Sequence, residues 1–176
     1  MIEIETKIID FDEKKLRAEL KKKGINGSGE ILQRRCIFNL SKNAGVDEFI
    51  RVRTDGKKCT IAYKYRKGDG LGNTEEIEIE TNDFDSSAEI FSKFIKDGKY
   101  QENKRETFML DGVEITINRW PLIPPVLEVE ASSEKKVRDT ITELGIGGKE
   151  LGNIGWEKLY MQFGIDLNAY EVLKFK

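Results

Sequence analysis

Apolar and charged side chains alternate along this chain in short runs. In the opening stretch MIEIETKI, Ile2, Ile4 and Thr6 fall on one face of an extended strand and Glu3, Glu5 and Lys7 on the other, because successive side chains of a strand point to opposite faces. The same two-residue period returns four times. EFIRVRT sets Arg51 and Arg53 against Ile50 and Val52, and CTIAYKYR sets Lys64 and Arg66 against Ile61, Tyr63 and Tyr65. EEIEIET sets Glu76, Glu78 and Glu80 against Ile77 and Ile79, and VLEVEA sets Glu128 and Glu130 against Leu127 and Val129. RRCIFNL, QENKRETFML and VEITINRW complete a set of eight predicted strands.

Helical spacing interrupts this order in three places. DFDEKKLRAELKKKG puts Leu16 and Leu20 four apart, with acidic residues first, lysines last and Gly24 as a stop, which suits the helix macrodipole. Ile90, Phe91, Phe94 and Ile95 form one apolar stripe in DFDSSAEIFSKFIKDG, which predicts a helix packed on a sheet. Val137, Ile141 and Leu144 do the same in SSEKKVRDTITELG. The tail WEKLYMQFGIDLNAYEVLKF reads as a short helix followed by an ordered extension. Asp55-Gly56 and Asp111-Gly112 are hairpin signals, KGDGLGN is a glycine-rich turn without the GK[ST] of a phosphate-binding loop, and PLIPP is a loop because proline cannot sit in a central strand.

Length and charge narrow the class. At 176 residues the chain is expected to be a single domain over 1–176, with a core of ordinary size. Its net charge of -2 offers no general attraction to nucleic acid or to an anionic membrane. No apolar run approaches the roughly 18 residues that span a bilayer, and the acidic start is the reverse of a secretion signal, so a soluble cytoplasmic protein is expected. Cys36 and Cys59 have no ligand spacing and read as free thiols. The chain has no histidine, so carboxylates, lysine, arginine and bound water must carry any chemistry.

An antiparallel sheet with one apolar and one charged face is the ordinary reading of any single strand here. Two glutamates about 7 Å apart repel by roughly 0.6 kcal/mol in water and about 2.4 kcal/mol at an effective dielectric of 20. E-x-E in three strands, beside R-x-R and K-x-R, therefore suggests that the charges face one another. An α+β fold satisfies this: a closed eight-stranded antiparallel β-barrel with a charged lumen and the apolar faces outside, under helices. With Arg105, that lumen would hold seven acids (Glu3, Glu5, Glu76, Glu78, Glu80, Glu128, Glu130) and six bases (Lys7, Arg51, Arg53, Lys64, Arg66, Arg105). Carboxylate clusters without histidine suit Mg²⁺ or Mn²⁺, and converging arginine and lysine suit phosphate oxygens. A triphosphate is the natural guest. An open sheet with a solvent-facing charged surface is the alternative.

The ordered set of motifs resembles the CYTH superfamily, the triphosphate tunnel metalloenzymes. Glu3-Ile4-Glu5-Thr6-Lys7 is similar to its ExExK signature, IRVR to its R-x-R strand, TIAYK to its lysine strand, EIEIE to its acidic strand, KRETF to its K-x-R region and LEVE to its late E-x-E strand. The resemblance covers about 130 residues. It implies an eight-stranded tunnel and an enzyme that hydrolyses a linear triphosphate, inorganic or organic. It implies Glu3, Glu5, Glu128 and Glu130 as ligands of Mg²⁺ or Mn²⁺, and Lys7, Arg51, Arg53, Lys64, Arg66 and Arg105 as substrate-binding residues. Lys7, Lys64 and Glu78 would act in catalysis. Adenylyl cyclisation, as in class IV adenylyl cyclases, and a noncatalytic polyphosphate-binding module are the alternatives. The partner is a small triphosphate rather than nucleic acid or membrane, and a homodimer is compatible with this reading. Two positions depart from the family pattern: Asn118 stands where an acid is common, and Asn103 stands at the lysine of K-x-R.

Overall fold

The computed structural model describes residues 4–41, 46–67 and 74–176. Glu3, most of the loop in SKNAGVD and the turn GDGLGN lie outside them. Eight strands form where alternation places them: β1 (Ile4–Ile9), β2 (Ile31–Asn39), β3 (Val46–Thr54), β4 (Cys59–Lys67), β5 (Thr74–Thr81), β6 (Gly98–Leu110), β7 (Val113–Arg119) and β8 (Val126–Ala131). Two short strands join them, β9 (Lys149–Gly152) beside β1 and β10 (Val172–Leu173) parallel to β6. They were missed in the sequence because four and two residues carry no readable alternation.

All other pairings are antiparallel, in the order β5-β4-β3-β2-β6-β7-β8-β1-β9. The sheet curls strongly. No backbone ladder joins β5 to β9 among the described residues, so the expected closed ladder of eight strands is here a curled sheet with two free edges. At the β6–β7 hairpin, Asp111 and Gly112 both take positive φ, 49° and 77°, the conformation that a tight two-residue hairpin demands and that Asp-Gly tolerates.

Among the described residues, four α-helices pack against the sheet: α1 (Glu13–Lys22), α2 (Phe84–Phe94), α3 (Glu134–Glu143) and α4 (Trp156–Met161). The first three start at side-chain caps, with Asp12 accepting from Lys15 N, Asp83 from Ser86 N and Ser133 from Lys136 N. Leu16 and Leu20 of α1 join Val137, Ile141 and Leu144 over the apolar faces of β1, β6, β7 and β8. Each such side chain, fully buried, contributes about 1.5–3 kcal/mol. Under α2, a smaller cluster gathers Phe38, Val52, Cys59 and Phe84 from β2, β3, β4 and the helix itself.

The expected stripe of α2 needs correction. Phe91 and Ile95 pack inward with Phe84, but Ile90 is 58% and Phe94 81% exposed. Nor, among the described residues, does a helix cover β5, whose Ile77 and Ile79 are 68% and 60% exposed. The reason is reach: α2 lies over β2, β3 and β4 and stops short of the edge strand. Cys36 and Cys59 are free thiols. Among the described residues, no helix is long and apolar enough to cross a membrane.

Candidate active site

The charged faces of β1 to β8 line one cavity of about 1090 Å³, at the upper end of the roughly 300–1,000 Å³ typical of small-molecule sites. Lys7, Arg51, Arg53, Lys64, Arg66, Arg105, Glu5, Glu76, Glu78, Glu128 and Glu130 all face it. Of the described lumen residues expected from the sequence, Glu80 departs. It lies at the exposed end of β5, paired with Lys58, and does not line the cavity.

Register explains the gathering. Glu5 pairs with Glu130 and Lys7 with Glu128 across β1 and β8, while β7 sets Glu114 beside Glu130 and Thr116 beside Glu128. Lys7 is fully enclosed, with its Nζ 2.6 Å from Glu5 and 3.6 Å from Glu128. Burial alone would lower its pKa, but the two carboxylates outweigh that and hold the ammonium above its ordinary value.

Glu128 is the anchor of this end. Its Oε2 accepts from Arg105 Nη2 at 2.5 Å, Asn118 Nδ2 at 2.8 Å and Thr116 Oγ1 at 3.3 Å. Burial opposes its ionisation, yet Lys7, Arg105 and Arg35 hold the carboxyl down at about 2. Asn118, buried in the wall, accepts from Arg105 Nε at 2.9 Å and donates to Glu128, so it fixes the guanidinium rather than offering a charge.

The opposite wall is built by β3, β4 and β5. Arg51 Nη2 donates to Glu76 Oε1 and Glu78 Oε2, each at 3.0 Å, and Lys64 lies 2.9 Å from Glu76. Arg53 has only a 3.6 Å approach to Glu78. Its burial, with Arg51 and Arg105 nearby, lowers its pKa to about 10. Arg66 is paired with the more exposed Asp47, and both line the cavity. Gly155, just before α4, lies so close to the Arg66 guanidinium that a Cβ would collide with it. Trp156 follows, also lining the cavity, with Lys7 Nζ 5.9 Å from its ring centre.

Several solved structures superpose on this chain. A conserved hypothetical protein of Pyrococcus furiosus superposes with a TM-score of 0.70 at 19% identity, over 88% of this chain and 97% of that one. A candidate adenylate cyclase of Vibrio parahaemolyticus gives 0.65 at 10% identity, over 92% and 98%. A candidate adenylyl cyclase from Hippeastrum, in which triphosphatase activity dominates, gives 0.58 at 13% identity, over 96% and 99%. The chain shares their fold. Neither a protein-family model nor a curated protein matches it.

Sequence reading passed over two side chains of this site, Arg35 of β2 and Glu114 of β7, which face the cavity. Asn103 of β6, noted at the lysine position of K-x-R, is buried in the wall beside Arg35. The signal was present in the period of two. Gln33, Arg35, Ile37 and Asn39 share one face of β2, and Glu114 shares a face with Asn118.

Whether the acids fit a metal is a question of donor type and convergence. Glu5, Glu130 and Glu114 stand side by side on three adjacent strands, a row of hard oxygen donors suited to Mg²⁺ or Mn²⁺. Burial, followed by the like charges of Glu5, Glu114 and Glu128, raises the pKa of Glu130, which a cation would reverse. The row keeps strand spacing, and no three such side chains among the described residues converge on a common point. The donor chemistry fits; side-chain rotation would have to bring the oxygens together.

Proposed function

We propose that this chain is a metal-dependent hydrolase of linear triphosphates, acting inside the charged bore. The observation that carries the reading is an imbalance within one enclosed space. Arg35 has no carboxylate within ion-pair distance, Arg53 has only the long 3.6 Å contact to Glu78, and Glu130 lacks a cation partner, among the described residues. A polyanion that arrives with a divalent metal satisfies both. The dominant triphosphatase activity of the Hippeastrum protein, on the same fold, favours hydrolysis over cyclisation. In this reading the curled sheet works as a tunnel. The segment from β9 into α4, which brings Gly155 against Arg66 of β4, spans the seam that the backbone ladder leaves open.

Glu5 and Glu130 would hold the metal, with Glu114 beside them and Glu128 Oε1, which faces Lys7 at 3.6 Å, in reserve; Glu3 joins them on the motif alone. A bound divalent ion supplies charge neutralisation on the phosphate oxygens. Arg51, Arg53, Lys64, Arg66 and Arg105 grip the remaining oxygens, with guanidinium forks suited to bidentate contact. Glu76 and Glu78 aim Arg51 and Lys64 into the cavity. Lys7, held charged between Glu5 and Glu128, offsets charge that builds on the phosphoryl oxygens as water attacks. The water oxygen bonds to the terminal phosphorus while the bridging P–O bond breaks and a water proton passes to a phosphate oxygen or to solvent, leaving orthophosphate and a diphosphate.

The test is product analysis with tripolyphosphate and, separately, ATP, each with Mg²⁺ or Mn²⁺. Orthophosphate release is expected. Lys64→Ala and Glu5→Ala should each lower the rate by about 100-fold, the usual effect of deleting one electrostatic contact of this kind, with the circular dichroism spectrum unchanged. Cyclic AMP with pyrophosphate, or tight binding without turnover, would overturn the reading.

A further inference from the structure

Arg35 sits on the cavity wall at 7% exposure, opposite Arg53 in the β2–β3 register. Two like charges directly across a ladder destabilise a sheet, so the pairing asks for a reason. Arg51, the next lumen arginine along β3, is compensated by Glu76 and Glu78. Arg35 has no carboxylate within ion-pair distance among the described residues. Only its Nη2 hydrogen-bonds, to Gln33 Oε1 at 3.2 Å and to Asn103 Oδ1, while Nε is buried without a partner. Neutral amides and the face of Trp120, 4.6 Å from the guanidinium carbon, hold the group in place. They fix its orientation without cancelling its charge. Burial first, then the nearby Arg51, Arg53 and Arg105, work against the charged form, and the more distant Glu128 offsets them only in part.

We propose that Arg35, with Arg53, forms an anion subsite for phosphate oxygens of the guest that the metal does not cover. This rests on the triphosphate reading above and adds a residue outside every motif used to reach it. Asn103 has a defined part in the subsite. It stands at the lysine position of the K-x-R pattern, where it orients a cation delivered from the neighbouring strand, β2.

Because the subsite serves oxygens away from the metal, its contribution persists when the metal is removed. The experiment compares wild type with Arg35→Gln and Arg35→Lys in two arms. In the first, steady-state hydrolysis of tripolyphosphate with Mg²⁺ is expected to show KM raised at least tenfold by Arg35→Gln, with kcat changed by less. In the second, tripolyphosphate is titrated into each protein calorimetrically in excess EDTA. There the Kd is expected to weaken at least tenfold for Arg35→Gln and by about three- to tenfold for Arg35→Lys, which keeps the charge but loses the fork. KM and Kd within twofold of wild type for a folded Arg35→Gln protein would overturn the proposal. If Arg35→Gln does not fold, Arg35→Lys decides: a Kd within twofold of wild type together with an unchanged KM likewise overturns it. Wild type that binds tripolyphosphate through Arg35 but releases no orthophosphate would sink the hydrolase reading and leave the subsite standing.

Discussion

Glu128 shows how one side chain organises a polar bore. A buried carboxylate is costly unless partnered, and this one is met by Arg105, Asn118, Thr116 and Lys7 at once. Removing its charge strands Arg105 and Lys7, so Glu128→Gln should cost about 3 kcal/mol of unfolding free energy at pH 7. The sign of the pH dependence follows from a carboxyl held at about 2 in the folded chain against roughly 4.3 unfolded. Its stabilisation is complete above the unfolded value and fades as pH falls toward the folded one. Urea titrations of wild type and variant should therefore keep a constant gap between pH 5 and 8 and a shrinking one between pH 4 and 3. An undiminished gap at pH 3 would mean that shape, not charge, is what the variant lost. The position and two of its partners, Lys7 and Arg105, were legible in the sequence because their strands alternate; Thr116, and the hydrogen bonds that Asn118 makes, were not, since only register places them beside it.

At the scale of elements, alternation located all eight long strands and their charged faces, and helical spacing located the helices. It did not say which apolar face a helix would reach. Val129 and Ile79 both occupy the outward face of E-x-E strands, yet Val129 is fully buried under α3 and Ile79 is mostly exposed at an edge. Period fixes the face; only the sheet order decides whether anything lies on it. Equivalent substitutions should therefore diverge. Leu127→Ala in β8 should lower stability by about 2–5 kcal/mol, whereas Ile79→Thr in β5 should change it by less than about 0.5 kcal/mol, both read from urea midpoints. A large loss at Ile79 would show that β5 is covered in solution. Edge strands β5 and β9 also escape a sequence reading that assumes closure, because the charges facing the bore are the same whether or not the last ladder forms.

For the molecule as a whole, the distinction that matters is between charges enclosed by a curled sheet and charges spread on a flat one. Both have the same composition and nearly the same alternation, so sequence alone leaves them open. They differ in how salt acts. Exposed charges are screened beyond about 8 Å at physiological ionic strength, while charges inside a low-dielectric enclosure are screened much less. Lys7 and Glu128 are almost wholly shielded from solvent, and Arg51 and Arg105 are mostly so. Binding to a flat basic face should collapse between about 0.05 and 0.5 M NaCl, but binding in this cavity should weaken only modestly. Thermal melting gives the readout, because a ligand at 100 times its Kd stabilises the folded chain by about 2.7 kcal/mol. Tripolyphosphate with Mg²⁺ is thus expected to raise the melting temperature by several degrees at 0.05 M NaCl and to retain most of that rise at 0.5 M. Loss of the shift at the higher salt would place the bound anion on the outside of the sheet, where Glu80 and Lys58 already face solvent, and not among the side chains that the curl has drawn together.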